Sequence, residues 1–178
     1  MYGLGANALD CDAIERVYRI KQRPPGKPLS ILIPHRQDLA KWAAGITADT
    51  AYLLERLWPG RVTFVFQAKT TLPQELLGGT GRIGIRLPAH RVARALVKAF
   101  GRPLTATSAN LSGRPACVRV GDLPPQMLEQ LDLVLDAGAL PGGSGSTVVD
   151  LTGDAPLILR EGVVSAAEIR SVWQARPT

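Results

Sequence analysis

Val62-Thr63-Phe64-Val65-Phe66 decides how the fold is read. The run is β-branched and aromatic, a composition that suits a pleated, half-buried surface, so it predicts a strand. Before it, a helix is expected from Thr47 or Asp49 through Leu57, stopped by Pro59-Gly60. After it, Ile83 to Arg86 predicts a second strand and His90 to Phe100 a helix. Further out, residues 12–21 place Ile14, Val17, Tyr18 and Lys21 at helical spacing, with Asp10 or Asp12 as cap. Leu29 to Ile33 reads as a short buried strand and Asp38 to Trp42 as a short helix. Leu104 to Ser108 and Leu133 to Asp136 read as two more strands. Thr147 to Leu151 and Leu157 to Arg160 form a hairpin across Thr152-Gly153-Asp154-Ala155. Ser165-Ala166-Ala167-Glu168 has capping-box spacing and opens a final helix. Glycine-rich segments at 78–81 and 138–145 read as loops. This alternation, without internal repeat or long linker, predicts an α/β or α+β fold with a mixed sheet.

The 178 residues suffice for one well-buried core. At 46% hydrophobic and 20% charged, the chain is neither disordered nor membrane-embedded in character. It has no apolar run of spanning length and no basic segment leading into an apolar core at its start, so a soluble, cytoplasmic protein is expected. Cys11 and Cys117 lack a C-x-x-C partner, and His35 and His90 complete no zinc pattern, so no metal site is expected. The net charge of +6 favours acidic partners such as nucleotides or RNA. Aromatic content of only 5% leaves few stacking platforms for a single strand.

Lys21-Gln22-Arg23-Pro24-Pro25-Gly26-Lys27-Pro28 is the strongest functional signal. Three cations fall within seven residues, on a segment whose prolines fix φ and bias their neighbours toward extended geometry. Charge runs are usually solvated turns. This one is stiff enough to be ordered around a polyanion at little cost, and a triphosphate fits. Ser108-Ala109-Asn110-Leu111-Ser112-Gly113 brings short hydroxyl and amide groups to the end of an apolar run, although such residues also make ordinary turns. Gly84-Ile85-Arg86-Leu87-Pro88 ends a strand on a cation. Ser144-Gly145-Ser146-Thr147 can offer N–H groups and hydroxyls to an anion, and Arg160-Glu161-Gly162 leaves a late strand. No Walker-type loop and no G-x-G-x-x-G is present, so any nucleotide must be held by side-chain cations and hydroxyls.

Taken in chain order, these residues resemble the YrdC/YciO family of threonylcarbamoyl-AMP synthases. The resemblance is carried by Tyr2-Gly3-Leu4-Gly5, Lys21-x-Arg23-Pro24, Lys27-Pro28-Leu29, Trp58-Pro59-Gly60, Gly84-Ile85-Arg86-Leu87-Pro88, Thr107 to Gly113, Ser146-Thr147-Val148-Val149-Asp150 and Ile158-Leu159-Arg160-x-Gly162. It implies one YrdC-like domain over residues 1–178, built on a twisted mixed sheet flanked by helices, with a concave positive cavity. It implies a nucleotidyltransferase that converts L-threonine, bicarbonate and ATP into threonylcarbamoyl-adenylate and pyrophosphate, for delivery to tRNA by a separate transferase complex. By the same resemblance Lys21 and Arg23 are the catalytic cations. Lys21, Arg23, Lys27, Ser108, Asn110 and Arg160 bind the nucleotide with Mg²⁺, and Arg86 and Ser146 bind threonine. The family usually carries a strand and a Pro-Thr-Glu/Asp-Thr stretch before Tyr-Gly-Leu-Gly, where Met1 directly precedes Tyr2 here. Loss of that strand is expected to remove one wall of the threonine site. The competing reading is a non-catalytic module that binds tRNA or double-stranded RNA. A relative that adenylates another carbamoyl donor is a third reading.

Overall fold

Eight strands and seven α-helices alternate along residues 1–177, which the computed structural model describes. In chain order they are β1 (Gly3–Leu4), α1 (Cys11–Lys21), β2 (Ser30–Leu32), α2 (Leu39–Trp42), β3 (Ala43–Ala44), α3 (Ala48–Leu57), β4 (Val62–Ala68) and α4 (Gln74–Leu77). There follow β5 (Arg82–Arg86), α5 (Arg91–Phe100), β6 (Leu104–Ser108), α6 (Pro125–Leu128), β7 (Thr147–Asp150), β8 (Leu157–Arg160) and α7 (Ala166–Gln174). Short polar side chains set the helix starts by accepting N–H groups that have no partner within the helix. Asp10 Oδ1 accepts from Ala13 N at 3.1 Å to open α1. Thr47 Oγ1 accepts from Thr50 N at 3.2 Å, and Thr50 Oγ1 accepts from Thr47 N at 2.9 Å, a reciprocal box that opens α3. Ser165 Oγ accepts from Glu168 N at 3.1 Å to open α7, while Glu161, not Glu168, takes the Ala166 N–H.

The strands form one mixed sheet in the order β1-β6-β2-β5-β4-β7-β8, with β3 paired to the side of β4. The β2–β5 and β4–β7 pairs are parallel and the others antiparallel, which is the mixed α/β architecture expected from the sequence. Side chains alternate across the pleat, so the register assigns each residue to a face. Ile31, Ile83, Ile85, Val62, Phe64, Phe66 and Val149 share one face and are all buried. They join Ile14 and Val17 of α1, Leu53 and Leu54 of α3, Leu76 of α4 and Ile169 of α7 in a single apolar core.

The second face carries Ala106, Ser30, Gly84, Val65 and Asp150 in one row. Leu104, Leu32, Arg86, Thr63, Val148 and Arg160 form the next, as the β4–β5 register continues one residue to Thr63 and Arg86. Val97 of α5 and Leu104 are buried yet stand apart from the main core, so α5 covers the Leu104 end of this face. The remainder mixes apolar Val65 and Val148 with polar groups that run from buried Thr63 and Asp150 to exposed Arg160. A Cβ on Gly84 would lie 2.6 Å from Ser30 Oγ and 3.2 Å from Thr63 Cγ2, so glycine lets the two hydroxyl side chains close over the strand. Gly84→Ala is expected to cost about 1–3 kcal/mol through overpacking, most of it recovered in a Ser30→Gly background. Thermal melts of the four members of that cycle test this, and additive losses would show that the contact is not the cause.

One expected strand is absent. Leu133 to Asp136 pairs with nothing, and Leu133, Val134 and Leu135 are 70%, 40% and 49% exposed. The segment is held by side chains at its ends instead. Arg16 donates to both carboxylate oxygens of Asp132 at 3.0 and 3.1 Å, and Tyr2 OH donates to Asp136 Oδ1 at 2.8 Å. Such ties fix the path of a chain without a backbone ladder. The two-residue strands β1 and β3 and the four-residue helices α4 and α6 are too short to leave a periodic signal in the sequence.

Candidate functional site

The residues singled out by the sequence fall into two groups. The first gathers where α1 meets the end of β6. Lys21 is the last residue of α1, not a member of the proline-stiffened loop, and it is only 2% exposed. Its ammonium donates to Ser108 O at 2.5 Å, Asn110 O at 2.9 Å and Asn110 Oδ1 at 2.9 Å. All three N–H bonds are thereby committed to the Ser108–Asn110 turn. Burial, and then the charge of Arg23, push the Lys21 pKa down to about 8. Asn110 Oδ1 also accepts from Ser108 Oγ at 2.6 Å, and Asn110 Nδ2 donates to Arg114 O. Lys21 is the post around which this turn is wound.

Gln22 leaves α1 in the left-handed region at φ 49°, and the chain then folds back through the proline loop. Arg23 braces that loop, with Nε donating to Lys27 O at 3.1 Å and one terminal nitrogen to Pro28 O at 2.8 Å. Tyr18 OH closes the same loop by donating to Lys27 O at 2.7 Å. The stiffness inferred from the prolines therefore has a second source in side-chain hydrogen bonds. Lys27 itself points into solvent.

The second group lies along β5, β4 and β7. Arg86 ends β5 and is partly buried. Burial first and the neighbouring Arg61 charge second lower its pKa, although it stays protonated at any ordinary pH. Its side chain has neither an ion-pair nor a hydrogen-bond partner among the described residues. Across from it, Thr63 Oγ1 and Ser146 Oγ share a hydrogen bond of 2.8 Å. Arg160 on β8 donates to Ser146 O at 2.7 Å and so fixes the loop that presents Ser146. Asp150, the carboxylate of this face, is already held by Arg82 at 2.7 Å and by Thr152 N at 2.8 Å. The site thus offers cations and hydroxyls, with its carboxylate Asp150 already paired, an arrangement suited to anionic ligands. By strand spacing alone, Ser108 and Arg86 stand about 16 Å apart, two strands across and four residues along. A nucleotide and a small second substrate could therefore lie side by side.

Ser30, Thr63 and Arg61 belong to this face, and the sequence reading did not find them. Alternation of Thr63 and Val65 with the buried Val62, Phe64 and Phe66 was the available signal. Among the described residues no three His, Cys, Asp or Glu side chains converge as a metal site. A separate hollow of about 740 Å³ lies between α2, α3 and residues 176–177, lined by Tyr52, Glu55 and the Asp49–Arg176 ion pair. It includes none of the candidate site residues.

The chain matches the Sua5_yciO_yrdC family model, described as "Telomere recombination", over residues 1–162. It is 36% identical over 172 residues to threonylcarbamoyl-AMP synthase from Pyrococcus abyssi, covering 97% of this chain and 51% of that protein. A structure of P. abyssi Sua5 complexed with L-threonine superposes with a TM-score of 0.88 at 36% identity, over 96% of this chain and 50% of that one. E. coli YciO superposes with a TM-score of 0.85 at 30% identity, over 94% of this chain and 82% of that one. The chain therefore spans about half the length of the P. abyssi relative and 82% of E. coli YciO.

Proposed function

The chain belongs to the Sua5/YciO/YrdC family, and on that premise we propose that it is an L-threonylcarbamoyladenylate synthase, which consumes L-threonine, bicarbonate and ATP and releases pyrophosphate. The observation that carries this reading is Arg86, a partly buried guanidinium without a protein acceptor beside the Thr63–Ser146 hydroxyl pair. A planar fork of this kind complements an amino-acid carboxylate through two parallel hydrogen bonds. Its relative from P. abyssi was crystallised with L-threonine.

In this reading Arg86 fixes the threonine carboxylate and Ser146 borders the same substrate. The amine takes up the carbon of bicarbonate to give a carbamate, and a carbamate oxygen then attacks the α-phosphorus of ATP as the bond to the β-phosphate breaks. The protein's part is positioning and neutralisation of charge on the phosphoryl group. Arg23 and Lys27 face the phosphates, Ser108 and Asn110 form the nucleotide-facing turn, and Arg160 approaches from β8. Lys21 acts from below, holding Ser108 and Asn110 and adding positive potential. Mg²⁺ enters with ATP. The product passes to a tRNA-modifying transferase in the cytoplasm.

The test is pyrophosphate release from Mg·ATP and bicarbonate with and without L-threonine, with the adduct weighed by mass spectrometry. Release that does not depend on threonine, or the absence of an adduct, removes the reading. Arg23→Ala is expected to weaken ATP binding by about 1.5–3 kcal/mol, the range for hydrogen bonds to charged groups, and Lys27→Ala by less because its ammonium is solvated. Both effects shrink as salt rises. Calorimetric ATP affinities unchanged in both variants would remove the proline loop from the site.

A further inference from the structure

Arg61 stands immediately before β4, and its carbonyl accepts Thr147 N at 3.0 Å, so the parallel β4–β7 ladder continues through it. Two residues from Thr63, it falls on the same sheet face as Thr63, Ser146 and Arg86. Its guanidinium is exposed and takes part in none of the ion pairs among the described residues. It lies close enough to Arg86 that its charge opposes protonation there. Two neighbouring guanidiniums with no acid between them repel, and a fold holds such a pair at a cost unless an anion joins them.

The synthase reading supplies an anion of suitable shape, and the inference rests on that reading. The carbamate of threonine has two planar carboxylates, one on the nitrogen and one on the adjacent α-carbon. Two adjacent guanidiniums complement it where one cannot. We propose that Arg61 holds the carbon donor, first as bicarbonate and then as the carbamate carboxylate, while Arg86 holds the α-carboxylate. In the first step the amine lone pair forms the C–N bond, a C–O bond of bicarbonate breaks, and water leaves with one amine proton. The single negative charge that bicarbonate brought remains on the carbamate, so the charge facing Arg61 is unchanged across the step. It leaves only when the carbamate oxygen bonds to the α-phosphorus and pyrophosphate departs. Arg61 is therefore a specificity residue for the anionic carbon source.

The experiment uses Arg61→Gln and Arg61→Lys in carbonate-free buffer. Arg61→Gln is expected to raise the KM for bicarbonate at least tenfold, leaving the KM values for threonine and ATP within twofold, with Arg61→Lys in between. The second measurement needs no turnover. With threonine present and ATP absent, wild-type protein is expected to broaden the ¹³C line of labelled bicarbonate, Arg61→Lys to do so partly, and Arg61→Gln not at all. An unchanged bicarbonate KM, an equal rise in all three KM values, a rise confined to ATP, or broadening that ignores Arg61 each overturns the proposal. If wild type broadens the line through Arg61 but releases no threonine-dependent pyrophosphate, the anion site stands and the synthase reading fails. Arg61 is exposed, so melting temperatures should match across the three proteins and exclude misfolding as the cause.

Discussion

Arg86→Ala is expected to weaken L-threonine binding at least a hundredfold, about 3 kcal/mol, while ATP affinity stays within twofold. Losing one member of a desolvated, hydrogen-bonded charge pair costs about 2–5 kcal/mol, because the other charge is left unmatched. Arg86→Lys should lose nearly as much, since a lysine is a point charge and cannot present two parallel donors from the end of β5. The same site makes a second, opposite demand. Without ligand, Arg86 is partly buried beside Arg61 and has no acceptor, so the empty protein is less stable for its presence. Arg86→Met should therefore melt at a higher temperature than wild type while failing to bind threonine, the trade between stability and function found at strained sites. Calorimetry with threonine and ATP, together with thermal melts, reads both sides. A variant that melts lower and binds threonine normally would make Arg86 an ordinary structural residue.

Where the sequence signal was strong, it had a physical reason to be strong. The Val62–Phe66 run became β4, inside the sheet between β5 and β7, because a strand largely buried on both faces reads as a near-continuous β-branched and aromatic run. Helix starts were legible to within two residues, at Asp10 or Asp12, Thr47 or Asp49, and Ser165, because capping is a local interaction of one side chain with an N–H three residues on, and the structure settles on Asp10 and Thr47. Leu133 to Asp136 carries the same apolar composition as a strand yet lies in the open. Composition cannot say whether a ladder partner exists, and here Arg16 and Tyr2 hold the segment by its aspartates.

The site was half legible for a similar reason. Lys21, Ser108 and Asn110 meet where α1 reaches the end of β6, and Arg86, Ser146 and Arg160 lie along the second face of the sheet. The sequence put Lys21 at the end of the 12–21 helix and also counted it with Arg23 and Lys27 as one of three neighbouring cations. The structure separates them by environment: Lys21 buried and fully bonded, Arg23 braced against its own loop, Lys27 in solvent. Arg61, Ser30 and Thr63 enter only through strand register, which brings together residues 30, 63, 84 and 146 across four strands. No local pattern encodes that contact.

Lys21→Met is expected to be the most damaging single substitution for the nucleotide half of the site. It removes the donor to Ser108 O, Asn110 O and Asn110 Oδ1 at once and leaves buried acceptors unmatched, a loss of about 3 kcal/mol. ATP affinity should fall with it, because Ser108 and Asn110 lose their support. Titration separates this role from simple packing. The folded-state pKa of Lys21 is about 8, against an ordinary value of 10.5, chiefly through burial. Between those two values the unfolded chain keeps a proton that the folded chain has released, so the unfolded state binds more protons and stability rises with pH. The contribution is complete above 10.5 and is lost as pH falls through 8. Other groups cancel when wild type is compared with Lys21→Met, so the stability gap between the two should widen from pH 8 to pH 10. ATP affinity of wild type should move the other way, falling as pH rises through 8 and the ammonium charge beneath the phosphates disappears. Denaturant melts and ATP titrations at pH 7, 8, 9 and 10 give both curves. A gap that narrows with pH, or ATP binding that ignores pH 8, would mean that Lys21 is not the buried, titrating post of this site.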